Sequence, residues 1–229
     1  MSAYTPILSI TTAVFETAAA VWTFANRGRK QFTVPCGIIL LLLAGYQIAE
    51  TIACSNEAWS LAARIGFLDI LWLPALGVFL VLRLSNLRVG IKAAISSAYF
   101  AAAAAMAVWI LLEPDFVNLS VCSVVFAKYA NARPLYTWFG IYYQFGLASM
   151  LIGSAAVMAG MDDDVRRRHL ADLLMGTLCF VLPSLLIDIS VPEARGALPS
   201  IMCHFALIFA LFLVRLVQRE QRDGGKGKF

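Results

Sequence analysis

Charge is scarce in this sequence. Its 229 residues include 18 Lys and Arg and 14 Asp and Glu, 14% in all against 61% hydrophobic, which is roughly half the charged share of a soluble domain. A water-soluble monomer is excluded. Histidine is scarcer still, with two residues, and the five cysteines fall into no CxxC or other metal-ligand spacing. At most one or two disulfides are therefore expected, and no metal domain built on Cys and His. No apolar run has a lysine in its interior, which excludes a retinal Schiff base of the opsin kind. Internal repeats are missing too, and with them the usual signature of inverted-repeat transporters. The net charge of +4 would suit nucleic acid, but in so apolar a chain basic residues report orientation first.

What the chain has instead is seven apolar stretches, roughly 6–25, 34–54, 62–84, 91–112, 136–160, 169–190 and 198–217. Each is long enough to cross a bilayer as a helix, and none shows the period-2 alternation of a barrel strand. The fold expected is an all-α membrane bundle of seven spans, followed by a flexible basic tail over 219–229. The first stretch has no basic residue before it, unlike a cleavable signal peptide, and is expected to remain as a span. Seven spans put the two ends of the chain on opposite faces. One face then carries 14 of the 18 basic residues, in the groups Arg27–Lys30, Arg83–Lys92, Arg166–Arg168 and Arg215–Lys228, against Arg64, Lys128, Arg133 and Arg195 on the other. This count predicts an outside N-terminus and a cytoplasmic C-terminus, and it accounts for the basic composition without nucleic acid.

Polar residues inside spans are costly and mark candidate sites. Tyr46, Gln47 and Glu50 lie near the outer end of the second span, and Asp69 and Trp72 in the outer half of the third. The fifth contributes Trp138, Tyr142, Tyr143 and Gln144, the sixth Asp188, and the seventh Ser200, Cys203 and His204. Glu16 lies deeper, in the first span. Nearly all of these groups fall in the outer half, while the inner half offers little beyond Asp172. They predict a polar, aromatic-lined cavity open to the outside, without a continuous conduction path. Asp188, Ser200 and Trp138 also suit plain interhelical or interfacial roles. Glu50, Asp69 and His204, with Cys203, have the donor chemistry for zinc or iron, but one available imidazole is thin for a catalytic metal, and no cofactor is expected. Pro74 and Pro183 are expected to kink their helices.

The longest connection, 113–135, is rich in Val, Ser and Phe and predicts a short strand or hairpin over the bundle mouth. Cys54 ends the second span and Cys122 sits in this segment, so both would face an oxidising compartment where a disulfide could pin the segment down. Cys36, Cys179 and Cys203 are expected to be small packing residues. Asp162, Asp163 and Asp164, ahead of Arg166, Arg167, Arg168 and His169, read as a helix cap and a topology anchor.

Several segments resemble a known module, the seven-helix membrane region at the N-terminus of certain bacterial histidine kinases and diguanylate cyclases. The stretch from Ala63 and Arg64 through Phe67, Asp69, Leu73 and Pro74 to Phe79 and Arg83 is similar to that family's third helix. Pro134-Leu135-Tyr136-Thr137-Trp138 with Tyr142-Tyr143 is similar to the start of its fifth, Arg166–Leu170 to its fifth-to-sixth loop, and Gly196–Ser200 to the start of its seventh. Glu50, in the context Tyr-Gln-Ile-Ala-Glu, falls where that family often has a second-helix glutamate. The resemblance implies a sensory module of a bacterial inner membrane that takes its ligand from outside. No kinase or cyclase segment lies within these residues, so output would pass to a separate cytoplasmic or membrane partner.

The function expected is non-enzymatic binding of a small amphipathic or cationic ligand. Glu50 and Asp69 would supply charge, Tyr46, Trp72, Tyr142 and Tyr143 an aromatic wall, and Gln47, Gln144 and His204 directional hydrogen bonds. The competing expectations are an intramembrane enzyme on a lipid or other hydrophobic substrate, a small transporter and an accessory subunit of a larger complex.

Overall fold

The computed structural model describes residues 6–25, 28–55, 60–113, 115–122, 127–131, 135–192 and 197–223. Arg27, Arg133, Arg195, Lys226 and Lys228 of the orientation count lie outside the described residues, as do Pro134, Gly196 and the tail after Asp223. Among the described residues eight helices follow one another as α1 (Ile7–Ala25), α2 (Lys30–Ser55), α3 (Ser60–Ile70), α4 (Leu73–Leu84), α5 (Val89–Leu112), α6 (Leu135–Ala159), α7 (Asp164–Ser190) and α8 (Leu198–Asp223). A hairpin of β1 (Val117–Cys122) and β2 (Ala127–Asn131) stands between α5 and α6. With α3 and α4 taken as one span, seven helical segments among the described residues are long and apolar enough to cross a membrane. The chain is a multi-span membrane protein.

The third span breaks because Pro74 has no N–H to give the carbonyl four residues back, and its ring crowds that turn. The helix stops at Ile70, turns through Leu71 and Trp72, and restarts with Pro74 in the first turn of α4. Tyr142 of α6 donates its hydroxyl to the Leu71 carbonyl at 3.2 Å. Backbone freed inside hydrocarbon has to find such a partner. Pro183 behaves differently, sitting within an uninterrupted α7.

Lipid supplies no hydrophobic drive between spans, so close packing has to hold them together. Gly146 of α6 lies on Pro74, and Gly77 of α4 lies under Met150, with no room for a Cβ at either glycine. Six spans close a ring in the order α1, α2, α3/α4, α6, α7 and α8, with α8 also touching α2 across the interior. The α5 helix stands outside this ring, against α4. Ala103 and Ile110 are the buried residues of α5, whereas most of the third span is buried.

The hairpin is antiparallel, with Val117 opposite Asn131 and Cys122 opposite Ala127, and a bulge falls between Leu119 and Val121. Phe116, Val117, Ala127 and Tyr129 are buried against the bundle. Phe67 anchors them, meeting Phe116, Tyr129, Tyr136 and Phe139 edge-on at centroid distances of 5.2–5.8 Å. Cys54 and Cys122 form a disulfide.

At the opposite end Asp163 caps α7 by accepting from the N–H groups of Val165 and Arg166. The first five residues expected in the flexible tail, Arg219, Glu220, Gln221, Arg222 and Asp223, instead extend α8 to Asp223. Ion pairs hold this extension. Glu220, fully buried, takes a two-pronged guanidinium contact from Arg29, Arg219 reaches Asp172 at 2.9 Å, and Arg168 stands 3.9 Å from Asp223.

Candidate functional site

The buried face of α2 repeats every three to four residues and carries Tyr46, Gln47 and Glu50 into the interior, where each is 1% exposed. Glu50 follows Gln47 by three residues and Tyr46 by four, so all three share that face. Gln47 donates through Nε2 to the Cys203 carbonyl of α8 at 2.5 Å, and Tyr46 shares a hydrogen bond of 3.2 Å with the Tyr129 hydroxyl of the hairpin. Asp69 of α3 packs onto Gly45, where a Cβ would come within 2.5 Å of its Oδ2. Glycine is needed there so that the carboxyl can approach α2. Glu16 of α1 is fully buried.

These carboxyls stand on three neighbouring helices. Glu16, Glu50 and Asp69, from three different helices, all lie within electrostatic reach of the Cys203 thiol, and Glu50 also reaches Tyr46 and Tyr129. Both oxygens of Glu16, Oδ2 of Asp69 and Oε1 of Gln47 are buried and have no hydrogen-bond partner among the described residues. Such a cluster is costly in a low-dielectric interior unless its members are protonated or answered by another charge.

The hairpin covers this cluster. Tyr129 bonds to Tyr46, the Ala127 N–H donates to the Ser200 hydroxyl at 3.0 Å, and the disulfide fixes the end of β1 to α2. Burial, ahead of the charge of Glu50, pushes the Tyr129 phenol well above its ordinary range, so it stays a neutral donor and acceptor. The open cavity expected from the sequence is therefore, at Tyr46, Gln47 and Glu50, a covered one.

Beside the cluster lies a cavity of about 220 Å³ between α6, α7 and α8, reached by Tyr143, Gln144, Asp188 and Cys203 and walled by Phe139 and Met202. Asp188 Oδ1, also buried, has no partner among the described residues. On the other side, a largely apolar groove of about 430 Å³ runs between α1 and α2 and reaches Gln47. The cluster thus has space on two sides.

The expected site residues divide accordingly. Tyr46, Gln47, Glu50 and Asp69 come together, and Tyr143 and Gln144 line the adjoining cavity. Tyr142 is committed to the α3–α4 break, and Trp72 forms that break while packing half-buried on the core. His204 does not join Glu50 and Asp69. Its Nδ1 lies 2.7 Å from the Ser200 carbonyl of its own helix, and no three His, Cys, Asp or Glu among the described residues are placed to hold a metal. Ser200 ties down the hairpin, and Trp138 faces outward. Cys203, expected as a packing residue or at most a metal donor, instead accepts from Gln47 through its carbonyl, and Tyr129 has no expected role. Only its place in the hairpin segment could have pointed to Tyr129. No protein family model and no curated protein matches the chain.

Proposed function

We propose that the protein is a non-enzymatic, membrane-embedded binding module for a small amphipathic cation. The carboxyl cluster at Cys203 and the adjoining aromatic cavity would take the ligand, and α8 would pass its arrival to a separate partner. Three carboxyls on the neighbouring helices α1, α2 and α3, the buried Glu16 and Glu50 and the part-buried Asp69 packed on Gly45, carry this reading. An ammonium group answers the charge those carboxyls would carry, and the rings of Phe139 and Tyr143 suit an apolar body with a positive face. α8 is a continuous helix from Cys203 to Glu220 and Asp223, so a shift at the cluster reaches the ion pairs at its far end. Coupling of this kind requires different affinities for two bundle arrangements.

The orientation belongs to the same proposal. The hairpin would face outside and the basic end the cytoplasm of a bacterial inner membrane, as the 14-to-4 division of basic residues favours.

The test is ligand-dependent thermal stabilisation of the purified protein, with benzyltrimethylammonium as the probe. Wild-type protein should be stabilised, and Glu50→Gln or Asp69→Asn should reduce that stabilisation about tenfold in apparent affinity while keeping the helical fold. Wild-type shifts in both variants would remove these residues from the site.

A further inference from the structure

A second groove lies at the basic end, far from the carboxyl cluster. The last turn of α4 and the first turns of α5 enclose about 440 Å³, closed on one side by Gln31 at the start of α2. Arg83 and Lys92 stand at its mouth. The Arg83 guanidinium rests over the Phe79 ring at 4.7 Å, and Lys92 donates to the Ser85 carbonyl at 2.7 Å, folding the start of α5 over the end of α4.

This mouth is positively charged and uncompensated. Lys92 lies within electrostatic reach of Arg83 and Arg166. Arg166 has its own partners in Asp163 and Asn86. Among the described residues, neither Arg83 nor Lys92 has a carboxylate at salt-bridge distance.

Deeper in, the chemistry changes. Lys92, Ser96 and Phe100 follow at intervals of four on one face of α5, so the groove passes from cations to a hydroxyl to an aromatic ring over about 12 Å. Phe79, at 6.4 Å from Phe100, forms the facing wall. Exposed α5, the span outside the ring, forms one side, so the groove opens toward lipid. Cations at the mouth, hydroxyls further in and rings beyond them follow the order of groups along a phospholipid.

We propose that this groove is a binding site for an anionic phospholipid, with its phosphodiester held by Arg83 and Lys92 and an acyl chain lying between Phe79 and Phe100. A free phosphate would use the cations but has nothing to place against the rings. A general attraction of basic residues to an anionic surface would not distinguish Arg83 from its neighbours.

The experiment measures melting of the full chain in a neutral detergent with added phosphatidylglycerol, phosphatidylcholine or inorganic phosphate. Phosphatidylglycerol should raise the midpoint by about 5 °C at saturation, and the other two should leave it unchanged. Arg83→Gln should weaken the response to phosphatidylglycerol about tenfold. Arg167→Gln, which removes the same charge elsewhere at the basic end, should preserve it. Ala93→Trp fills the groove without altering any charge and should abolish the response, which keeps the proposal testable if Arg83→Gln fails to fold. Equal stabilisation by phosphatidylcholine, reproduction by inorganic phosphate alone, equal loss in Arg167→Gln, or a wild-type response in Ala93→Trp would each overturn the proposal.

Discussion

The two ends of the bundle are finished in opposite ways. At the hairpin end the spans are closed mainly by rings, a disulfide and the Tyr46–Tyr129 hydrogen bond, with Phe67 at the centre of four aromatic neighbours and one guanidinium, Arg64, donating to the Ile110 and Leu111 carbonyls. At the basic end they are joined by charge, through Arg29 with Glu220 and through Asp172 with Arg215 and Arg219. The first kind of contact hardly responds to salt, whereas the second is weakened by it wherever water has access. The difference teaches where the molecule is rigid. A covered polar cluster sits beneath the insensitive end, and the helix that touches it runs on into the sensitive one.

Three perturbations should break this contrast unequally. Phe67→Ala empties the centre of the aromatic closure and should cost about 4 kcal/mol, the range for a large buried ring. The loss should show as a lower melting midpoint and faster proteolysis within the hairpin. Glu220→Gln removes the carboxylate that Arg29 grips with both prongs. Arg29 is 26% exposed and can turn to water, so the cost should be about 2 kcal/mol rather than the full penalty for a broken buried pair. The salt dependence of melting should also become flatter in that variant. A variant as salt-sensitive as the wild type would place the sensitivity elsewhere.

The smallest effect should come from Tyr129→Phe, at about 1 kcal/mol near neutrality for one lost hydrogen bond. Its pH dependence is more telling. The folded-state phenol titrates above its ordinary value of 10.0, so the unfolded chain ionises first. The stabilisation is then complete below about pH 10 and is lost as pH rises beyond it. Melting curves taken through that range should fall less steeply in Tyr129→Phe. Parallel curves would show that Tyr129 is not a source of the alkaline loss.

Much of the architecture can be read without coordinates, because bilayer thickness forces long apolar runs and Pro74 cannot continue a helix. The hairpin too is announced by its Val, Ser and Phe content. The site is less legible. Depth along a helix follows from residue count, but the angle each helix turns toward its neighbours depends on packing far away in sequence. Gln47 and Glu50 could be assigned to one face, yet only the approach of α8 puts Cys203 against them. Glu16, counted as deeper and separate, reaches the same thiol from α1. His204, one residue from Cys203 and so about 100° around the helix, bonds within α8. Pro183, by contrast with Pro74, leaves its helix unbroken, and nothing local in the sequence separates the two cases.

The bond between Cys54 and Cys122 also has a place in time. It spans 68 residues and encloses α3, α4, α5 and β1 but nothing later. Synthesis from the N-terminus delivers both sulfurs before α6, α7 or α8 exists, and the bond can close once four of the seven spans are in place. The loosely packed α5 is then held in a covalent loop while the remaining three arrive. The Ser200 hydroxyl and the Cys203 carbonyl, which complete the lid and the cluster, both belong to α8, the last of these helices to be made.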